Sequence, residues 1–371
     1  MPLNHSCPPL WGHLSSFYPN KECSMFFEWQ GNEPATLQCV DKFFETDDTV
    51  SIRLADLTES LLFQFKPGQF VNLGVEIDGK MEFRAYSISS LAGEEYLQFT
   101  IKRVEGGKVS NFIIDSLLIG DTVQALAPAG EFNCVDHPPR ELDGQGKALL
   151  ISAGCGVTPV FAMAKHWLSN EMNVDIEFLH IARSAQETIY FDHLSTCQSA
   201  YAHFHLKLLL KDAQGTTHPQ GRFNAQWLQD LVPDFATRTI YLCGPNQFMQ
   251  DTQDYLQALG FDMNHFYHES FTPEKVEAME ASDEEVCISV PDFAQTINAK
   301  KGQLLADVLE NAGLPLIVAC RSGICGSCKC KVANGQVRSI SQETLTADEI
   351  AQGYVLACSS HIESDLDVSL H

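Results

Sequence analysis

The sequence predicts a multidomain protein with three folded parts: an antiparallel β-barrel, an α/β domain with a parallel sheet, and a small β-grasp domain. Short alternating strands broken by turn residues extend from Thr36 to about Pro139, and strands that alternate with helices follow. A predicted hairpin and helix then precede a cysteine-rich loop near the C-terminus. The predicted boundaries are 1–33 for an N-terminal extension, 34–139 for the barrel, 140–271 for the α/β domain, 272–285 for an acidic linker and 286–371 for the last domain.

Composition narrows the class of protein. The chain has 371 residues, of which 44% are hydrophobic, and these values suit two or three globular domains. A formal net charge of −24 argues against nucleic-acid binding, because a phosphate backbone repels such a surface. An acidic surface is usually just a solvated one, and steering toward a basic patch on a redox partner is the alternative. The apolar runs are too short to span a membrane. Thirteen cysteines without a recognisable signal peptide indicate a reducing cytosol, so we expect a cytoplasmic protein.

The barrel segment contains one tetrapeptide that suits a ligand, Arg84-Ala85-Tyr86-Ser87. An arginine beside an aromatic residue in a strand is a natural flavin contact, because the guanidinium group pairs with pyrophosphate and the ring stacks on the isoalloxazine. A plain strand also explains these residues, so the tetrapeptide alone leaves both interpretations open.

A glycine turn further along opens a predicted helix, with the sequence Gly106-Gly107-Lys108-Val109-Ser110-Asn111. The N–H groups at a helix start hold phosphate, and the helix dipole favours the anion. The alternative is an ordinary glycine turn in which Ser110 is the N-cap residue.

The α/β segment carries a strand–turn–helix unit at its start. Its four predicted strands are Ala148–Ala153, Val174–Ile181, Phe204–Leu210 and Thr239–Leu242. Between the first strand and a helix at Pro159–Leu168 lies the turn Gly154-Cys155-Gly156-Val157-Thr158-Pro159. Glycines let the backbone approach a pyrophosphate, and Pro159 suits the first helical turn. A lone G-x-G is weak, but the strand–turn–helix setting favours a dinucleotide site.

Two short motifs end the α/β segment. Cys243-Gly244-Pro245 follows the fourth strand, at the edge where open α/β sheets bind ligands, although a buried cysteine is also an ordinary core residue. Glu269-Ser270-Phe271 precedes the acidic linker, and at a domain edge these residues alone indicate nothing further.

Four cysteines in the last segment have the spacing C-x4-C-x2-C followed by a distant fourth: Cys320, Cys325, Cys328 and Cys358. This is the ligand spacing of a plant-type 2Fe–2S cluster, and the glycines between them let backbone N–H groups approach sulfur. A structural zinc site is the alternative, but zinc sites usually have a second C-x2-C pair, which this segment lacks. Cys330 is predicted to be a strand residue and not a ligand.

The same segment has the elements of a β-grasp fold. Val286–Val290 and Ala294–Asn298 are predicted to form a hairpin, and Leu304–Ala312 a helix that Gly313 ends. Tyr354–Cys358 is predicted to be a strand that reaches back to the cluster loop.

In this order, R-x-Y-S, G-G-x-V-S, G-x-G-x-T-P, C-G-P and E-x-F resemble the motifs of the ferredoxin–NADP reductase superfamily. The C-terminal cluster loop narrows the likeness to single-chain NADH-dependent electron-transfer reductases, from about residue 36 to the end. The resemblance implies an NADH-dependent flavin iron–sulfur oxidoreductase that contains FAD and a 2Fe–2S cluster. It implies that electrons pass from NADH through FAD to the cluster and on to a redox protein, foremost the hybrid-cluster protein.

The resemblance also implies a role for each matching position. The flavin would be held by Arg84, Ala85, Tyr86 and Ser87, and at its pyrophosphate by Gly107, Val109 and Ser110. The NADH site would be lined by Gly154, Gly156, Thr158, Pro159, Gly244 and Pro245. The reacting rings would meet beside Cys243, Glu269 and Phe271. The cluster would be held by Cys320, Cys325, Cys328 and Cys358.

Three alternatives stay open at this point. The same motifs resemble reductase components of multicomponent oxygenases, which would make an oxygenase the acceptor. A zinc-bearing interaction module on a degenerate reductase is a possibility of another class. For the coenzyme, Arg183 and Ser184 suit a 2′-phosphate whereas Asp212 repels one, and we favour NADH on the resemblance.

Overall fold

The computed structural model describes residues 25–30, 33–58, 60–271, 282–321, 323, 325–342 and 344–370. Most of the predicted extension and linker therefore lies outside the described residues. The described chain forms a six-stranded antiparallel sheet, a five-stranded parallel sheet with one short antiparallel strand beside it, a five-stranded mixed sheet and a two-stranded sheet. The predicted multidomain fold, an antiparallel sheet followed by a parallel sheet and a small C-terminal domain, is confirmed.

The first sheet wraps into the predicted barrel. Its elements are β1 Ala35–Thr46, β2 Thr49–Ala55, β3 Phe70–Ile77, β4 Lys80–Ser87, β5 Tyr96–Lys102, α1 Lys108–Asp115 and β6 Thr122–Ala125. The strand order is β4-β3-β6-β1-β2-β5, and Ile88 pairs with Phe99 of β5, which joins the two edges. Alternate residues of β2 and β5 point into the barrel core, as their period of two requires. Phe27 stacks on Phe63 with ring centroids 4.9 Å apart, so part of the extension covers the barrel.

The second sheet has helices on both faces. Its elements are β7 Glu141–Leu142, β8 Gln145–Ala153, α2 Val157–Ser169, β9 Val174–Ala182, α3 Phe191–Ala200, β10 Phe204–Leu210, α4 Ala225–Leu231, β11 Thr239–Gly244, α5 Asn246–Ala258 and β12 Phe266–Ser270. The order is β10-β9-β8-β11-β12, and all these neighbours are parallel. The sequence analysis did not predict β12. Its residues lack a continuous apolar run, and its pairing with β11 makes it a strand.

The last domain combines a mixed sheet with two short helices. Its elements are β13 Glu285–Val290, β14 Gln295–Lys300, α6 Leu305–Asn311, β15 Lys329–Asn334, β16 Val337–Ser339, α7 Ala347–Ala351, β17 Tyr354–Leu356, β18 Ser360–Ile362 and β19 Leu366–Ser369. The predicted hairpin is confirmed as β13 and β14. The predicted strand through Cys358 was wrong at its end, because β17 stops at Leu356 and Cys358 lies in a single 3₁₀ turn. Cys330 is buried in β15, as predicted.

Polar contacts join the barrel to the α/β domain. Lys165 of α2 donates to the carbonyl oxygen of Ser89, and burial lowers the pKa of Lys165 to about 8. The Tyr190 hydroxyl donates to Thr100 Oγ1 of β5 at 2.5 Å, and Cys155 Sγ lies 3.6 Å from the Thr100 carbonyl oxygen. The turn after β8 is thereby held against the barrel.

Candidate functional site

The four predicted cysteines meet in the last domain. The thiol of Cys320 contacts those of Cys325 and Cys358, and the thiol of Cys358 also contacts that of Cys328. The pKa of Cys325 and that of Cys358 are raised by their contacts with Cys320 and by burial. The pKa of Cys328 is lowered by its contact with Cys358. Bound cations reverse such shifts, because a coordinating thiol is deprotonated outright.

The arrangement of these thiols suits a cluster with two irons. The thiols form a row of contacts, Cys325–Cys320–Cys358–Cys328. Four thiolates are the ligand set of a 2Fe–2S cluster, so the donors present fit this group. Burial raises the pKa of the nearby Cys330 to about 12, which keeps it a thiol.

The backbone of the cluster loop needs its glycines. Gly323 has φ +73°, and a Cβ there would stand 2.7 Å from the Cβ of Ser341 and 2.8 Å from that of Ser359. The small side chains around the loop also bond to it: Ser341 Oγ donates to the Gly323 carbonyl oxygen at 2.8 Å. Ser327 Oγ lies 3.1 Å from Cys325 Sγ. Small residues thus bring hydrogen-bonding groups to the sulfurs.

In the barrel, the predicted flavin residues surround several buried polar atoms. Arg84 to Ser87 form the end of β4, and the phenol of Tyr86 is largely buried, which raises its pKa. Among the described residues, four buried polar atoms have no hydrogen-bond partner here: Asn72 Oδ1, Ser87 Oγ, Ser110 Oγ and Asn111 Oδ1. Buried polar atoms without a partner are rare in folded proteins. A polar ligand such as a flavin would satisfy them.

The helix that follows the glycine turn starts without a side-chain cap in the part of the chain that is described. Gly107 is the N-cap residue of α1, so the alternative in which Ser110 caps the helix was wrong. Ser110 lies in the first turn, and Val109 points into the barrel core. The first amides of α1 and the Ser110 hydroxyl are therefore available to a phosphate.

The predicted nucleotide turn is packed tightly against the end of β11. A Cβ on Gly156 would stand 2.2 Å from the carbonyl oxygen of Cys243, so only glycine fits there. Gly154 has φ +54° and open space on its Cβ side. The Thr158 hydroxyl donates to the carbonyl oxygen of Cys155 at 3.0 Å and fixes the turn. Pro159 is buried in the first turn of α2, as predicted.

Register in the parallel sheet aligns Glu269, Cys243, Ser152 and His180 in one row across β12, β11, β8 and β9. Cys243 is fully buried, and burial followed by the charge of Glu269 raises the pKa of its thiol. Glu269 Oε1 comes within 3.7 Å of where a Cβ of Gly130 in the barrel domain would stand. Phe271, at the end of the domain, is 44% exposed.

Two residues of this row, Ser152 and His180, were not predicted from the sequence. Ser152 Oγ lies 2.8 Å from His180 Nδ1, and His180 Nε2 is buried with no partner among the described residues. Burial lowers the pKa of His180 to about 4, so its imidazole is neutral. No local motif marks either residue, because strand pairing alone brings them together. Pro245, one of the residues predicted to line the NADH site, is the N-cap residue of α5.

A cleft of about 600 Å³ lies at the carboxyl ends of β9 and β10. It is lined by Arg183, Ser184, Glu187, Lys211, Asp212 and Gln220. The residues that were considered for the choice between NADH and NADPH, Arg183, Ser184 and Asp212, therefore line the same cleft. Arg183 Nη1 is already paired with Glu187 Oε1 at 3.2 Å, which adds a carboxylate that the sequence analysis had not considered.

These features together define a flavoprotein that joins a nicotinamide nucleotide site to an iron–sulfur centre. Family models match the chain as an oxidoreductase FAD-binding domain at 36–134, an oxidoreductase NAD-binding domain at 150–254 and a 2Fe-2S iron-sulfur cluster binding domain at 289–363. The last match favours iron–sulfur over the zinc alternative. Among the described residues, no helix is long and apolar enough to cross a membrane.

Related proteins agree with this class. The glycine betaine monooxygenase reductase subunit of Pseudomonas aeruginosa is 34% identical over 350 residues, which cover 89% of this chain and 93% of that protein. NADH oxidoreductase HCR of Escherichia coli is 32% identical, with 86% and 94% covered. The structure of phthalate dioxygenase reductase matches with a TM-score of 0.60 at 21% identity, over 91% of this chain and 97% of that one.

The chain therefore belongs to the ferredoxin–NADP reductase superfamily, in the group with a C-terminal 2Fe–2S domain. It is an electron-transfer oxidoreductase with FAD-binding, NAD-binding and 2Fe–2S domains.

Proposed function

We propose that this protein passes electrons from NADH through FAD to its 2Fe–2S cluster and then to a redox protein. The observation that carries the proposal is the set of four contacting thiols in a chain that also has a FAD-binding and an NAD-binding domain. When bound, the flavin supplies the chemistry that converts a two-electron donor into single electrons.

The proposed domains are 34–139 for FAD, 140–271 for NADH and 286–371 for the cluster, with 1–33 as an extension and 272–285 as a linker. The positions of the sheets support these limits. The barrel strands lie between Ala35 and Ala125, the strands of the parallel sheet end at Ser270, and the strands of the last domain start at Glu285.

In the barrel, we propose that Arg84 pairs with the flavin phosphate and that Tyr86 stacks on its ring. Arg84 Nη1 is 3.9 Å from Glu82, a loose contact that leaves the guanidinium able to bind phosphate. The buried hydroxyl groups of Ser87 and Ser110 would donate to the same ligand. Ala85, Gly107 and Val109 would contribute backbone groups.

In the α/β domain, we propose that the backbone of Gly154 and Gly156 holds the dinucleotide, with Thr158 and Pro159 fixing the turn. Gly244 and Pro245 would line the same crevice at the end of β11. Cys243 would lie behind the nicotinamide as a neutral buried thiol, with Glu269 and Phe271 near the flavin's reactive face.

NADH is the proposed coenzyme. In the cleft at the ends of β9 and β10, the carboxylates of Glu187 and Asp212 disfavour a 2′-phosphate, whereas Arg183 and Lys211 favour one. Because these charges oppose each other, the proposal rests on the likeness to NADH oxidoreductase HCR. A Michaelis constant lower for NADPH than for NADH would overturn this assignment.

The first test is an anaerobic absorbance spectrum before and after stoichiometric NADH. Bleaching of both the flavin and the iron–sulfur bands is expected. A flavin that bleaches beside an unresponsive or absent cluster would leave only a flavin reductase, and bleaching of neither would refute the proposal.

For the acceptor, the motif likeness supports the hybrid-cluster protein. A second candidate, an oxygenase component, is supported by the relatives named as monooxygenase reductase subunits. Anaerobic mixing of the NADH-reduced protein with each purified acceptor separates the two, because only the true partner should be reduced within the turnover time of the enzyme.

A further inference from the structure

An apolar contact joins the barrel to the cluster domain at one of the predicted cluster ligands. Phe83 and Leu126 of the barrel pack against Ala319, and Ile317 and Cys325 lie against the same group. Each residue of this group is at most 7% exposed: Phe83, Leu126 and Ala319. The barrel core does not include Phe83 or Leu126, so these side chains cover the outside of the sheet.

The barrel side of the contact is shaped by a glycine. Gly74 of β3 pairs with Phe83 of β4, and a Cβ on Gly74 would stand 2.5 Å from the Phe83 ring. The Phe83 ring therefore occupies the space that a side chain at position 74 would need. The Leu126 N–H donates to the carbonyl oxygen of Asn72, which lies in β3 like Gly74, at 3.0 Å. Leu126 therefore lies on the side of β3 that is opposite β4.

The cluster side of the contact is tied to a ligand sulfur. The Ala319 N–H donates to Ser327 Oγ at 3.3 Å, and Ser327 Oγ lies 3.1 Å from Cys325 Sγ. Movement of the 317–319 segment therefore moves Cys325. Packing Ile317 and Ala319 on Phe83 fixes the position of that thiol relative to β4.

Phe83 also borders the proposed flavin residues. It directly precedes Arg84, and Arg84 Nη1 donates to the Phe83 carbonyl oxygen at 2.5 Å. Burial raises the pKa of Glu310 of α6, and the charges of Asp307 and, least, of Glu82 in β4 act in the same direction, so β4 and α6 face each other at the rim. Apolar packing thus holds together two domains whose rims both carry carboxylates.

We propose that Phe83, Leu126 and Ile317 form the electron-entry contact, in which Phe83 is a positioning residue that holds Cys325 against the flavin strand. The inference rests on the proposed function. NADH gives its hydride to the flavin and becomes NAD⁺. The two electrons would cross this contact one at a time, because a 2Fe–2S cluster accepts a single electron. The acceptor protein would reoxidise the cluster after each transfer, which returns the flavin to its oxidised state, and the proton of the hydride would go to solvent.

The test compares Phe83→Ala and Ile317→Ala with Phe44→Ala, a matched control in which an exposed barrel phenylalanine outside the contact is removed. Anaerobic stopped-flow absorbance follows flavin and cluster bleaching after NADH is mixed with the purified holoprotein. Flavin reduction should keep its wild-type rate in all three variants. Cluster reduction should slow about tenfold in Phe83→Ala and Ile317→Ala, because the docked fraction falls, and stay unchanged in Phe44→Ala.

Hydrogen–deuterium exchange gives a second readout that needs no turnover. Amides 317–321 should exchange faster in Phe83→Ala than in the wild type or Phe44→Ala, because the covering ring is gone. Cluster reduction at the wild-type rate in both contact variants would overturn the inference and leave the proposed function intact. A wild-type cluster that NADH never reduces would overturn both. If Phe83→Ala loses flavin, Ile317→Ala decides, because its substitution lies in the other domain.

Discussion

The hydroxyl of Ser327 should set part of the reduction potential of the cluster. Its oxygen accepts the Ala319 N–H at 3.3 Å and lies 3.1 Å from Cys325 Sγ. A cysteine that binds the cluster has lost its proton, so in this pair the Ser327 hydroxyl would be the donor and the Cys325 sulfur the acceptor. A reduced cluster is more negative, so this O–H···S bond is stronger after reduction, and it raises the potential.

The magnitude follows from the difference in hydrogen-bond strength. The cluster with four thiolates is anionic in both oxidation states, and reduction adds one negative charge. We take the gain per added charge as about 1 kcal/mol, the amount by which a hydrogen bond to a charged acceptor exceeds one to a neutral acceptor. For a one-electron couple, 59 mV corresponds to a factor of ten, or about 1.4 kcal/mol. Ser327→Ala should therefore lower the midpoint potential by about 40 mV.

An anaerobic redox titration followed by electron paramagnetic resonance measures this shift. Ser369→Ala is the control, since it removes a serine hydroxyl that bonds Asp292 at 2.6 Å outside the cluster loop. Iron content must equal that of the wild type in both variants. A midpoint potential that is unchanged or higher in Ser327→Ala would show that the Ser327 hydroxyl does not raise the potential of the cluster.

Three further outcomes are expected. Cys328→Ser should keep NADH-to-ferricyanide activity and lose transfer to one-electron protein acceptors, and equal loss of both would make the cluster structural. Gly156→Ala should raise the Michaelis constant for NADH and lower the thermal unfolding midpoint, because the new methyl group meets the Cys243 carbonyl. A variant with wild-type values for both would show that the turn is not tightly packed. Asp56 has a lowered pKa, because hydrogen bonds from Thr58 and two further amides outweigh burial. A carboxyl group whose pKa is lowered in the folded state stabilises the protein above its unfolded pKa of about 3.9, and this stabilisation is lost as pH falls through the folded pKa. Asp56→Asn should therefore lower the free energy of unfolding by about 1 kcal/mol at pH 7 and by progressively less in acid. Urea unfolding measures both values. An equal loss of stability at pH 7 and at acidic pH would contradict the lowered pKa of Asp56.

The cluster loop could be predicted because its information is local. Three of its cysteines lie within nine residues, and ligand spacing is a property of the chain itself. The barrel and the parallel sheet were predictable for a similar reason, since alternation and strand–helix order are read along the chain. The strand β12 was missed because its pairing with β11, and not its composition, defines it.

The tertiary structure alone decided which distant residues meet. Register places His180 beside Ser152 and Glu269 beside Cys243, although no motif connects them. The packing of Phe83 and Leu126 with Ala319, against which Cys325 lies, joins two domains across a long stretch of sequence. The ligand types and the order of the domains could be predicted from the amino-acid sequence, because those depend on neighbouring residues. The contacts between the domains could not, because distances between remote residues exist only once the chain is folded.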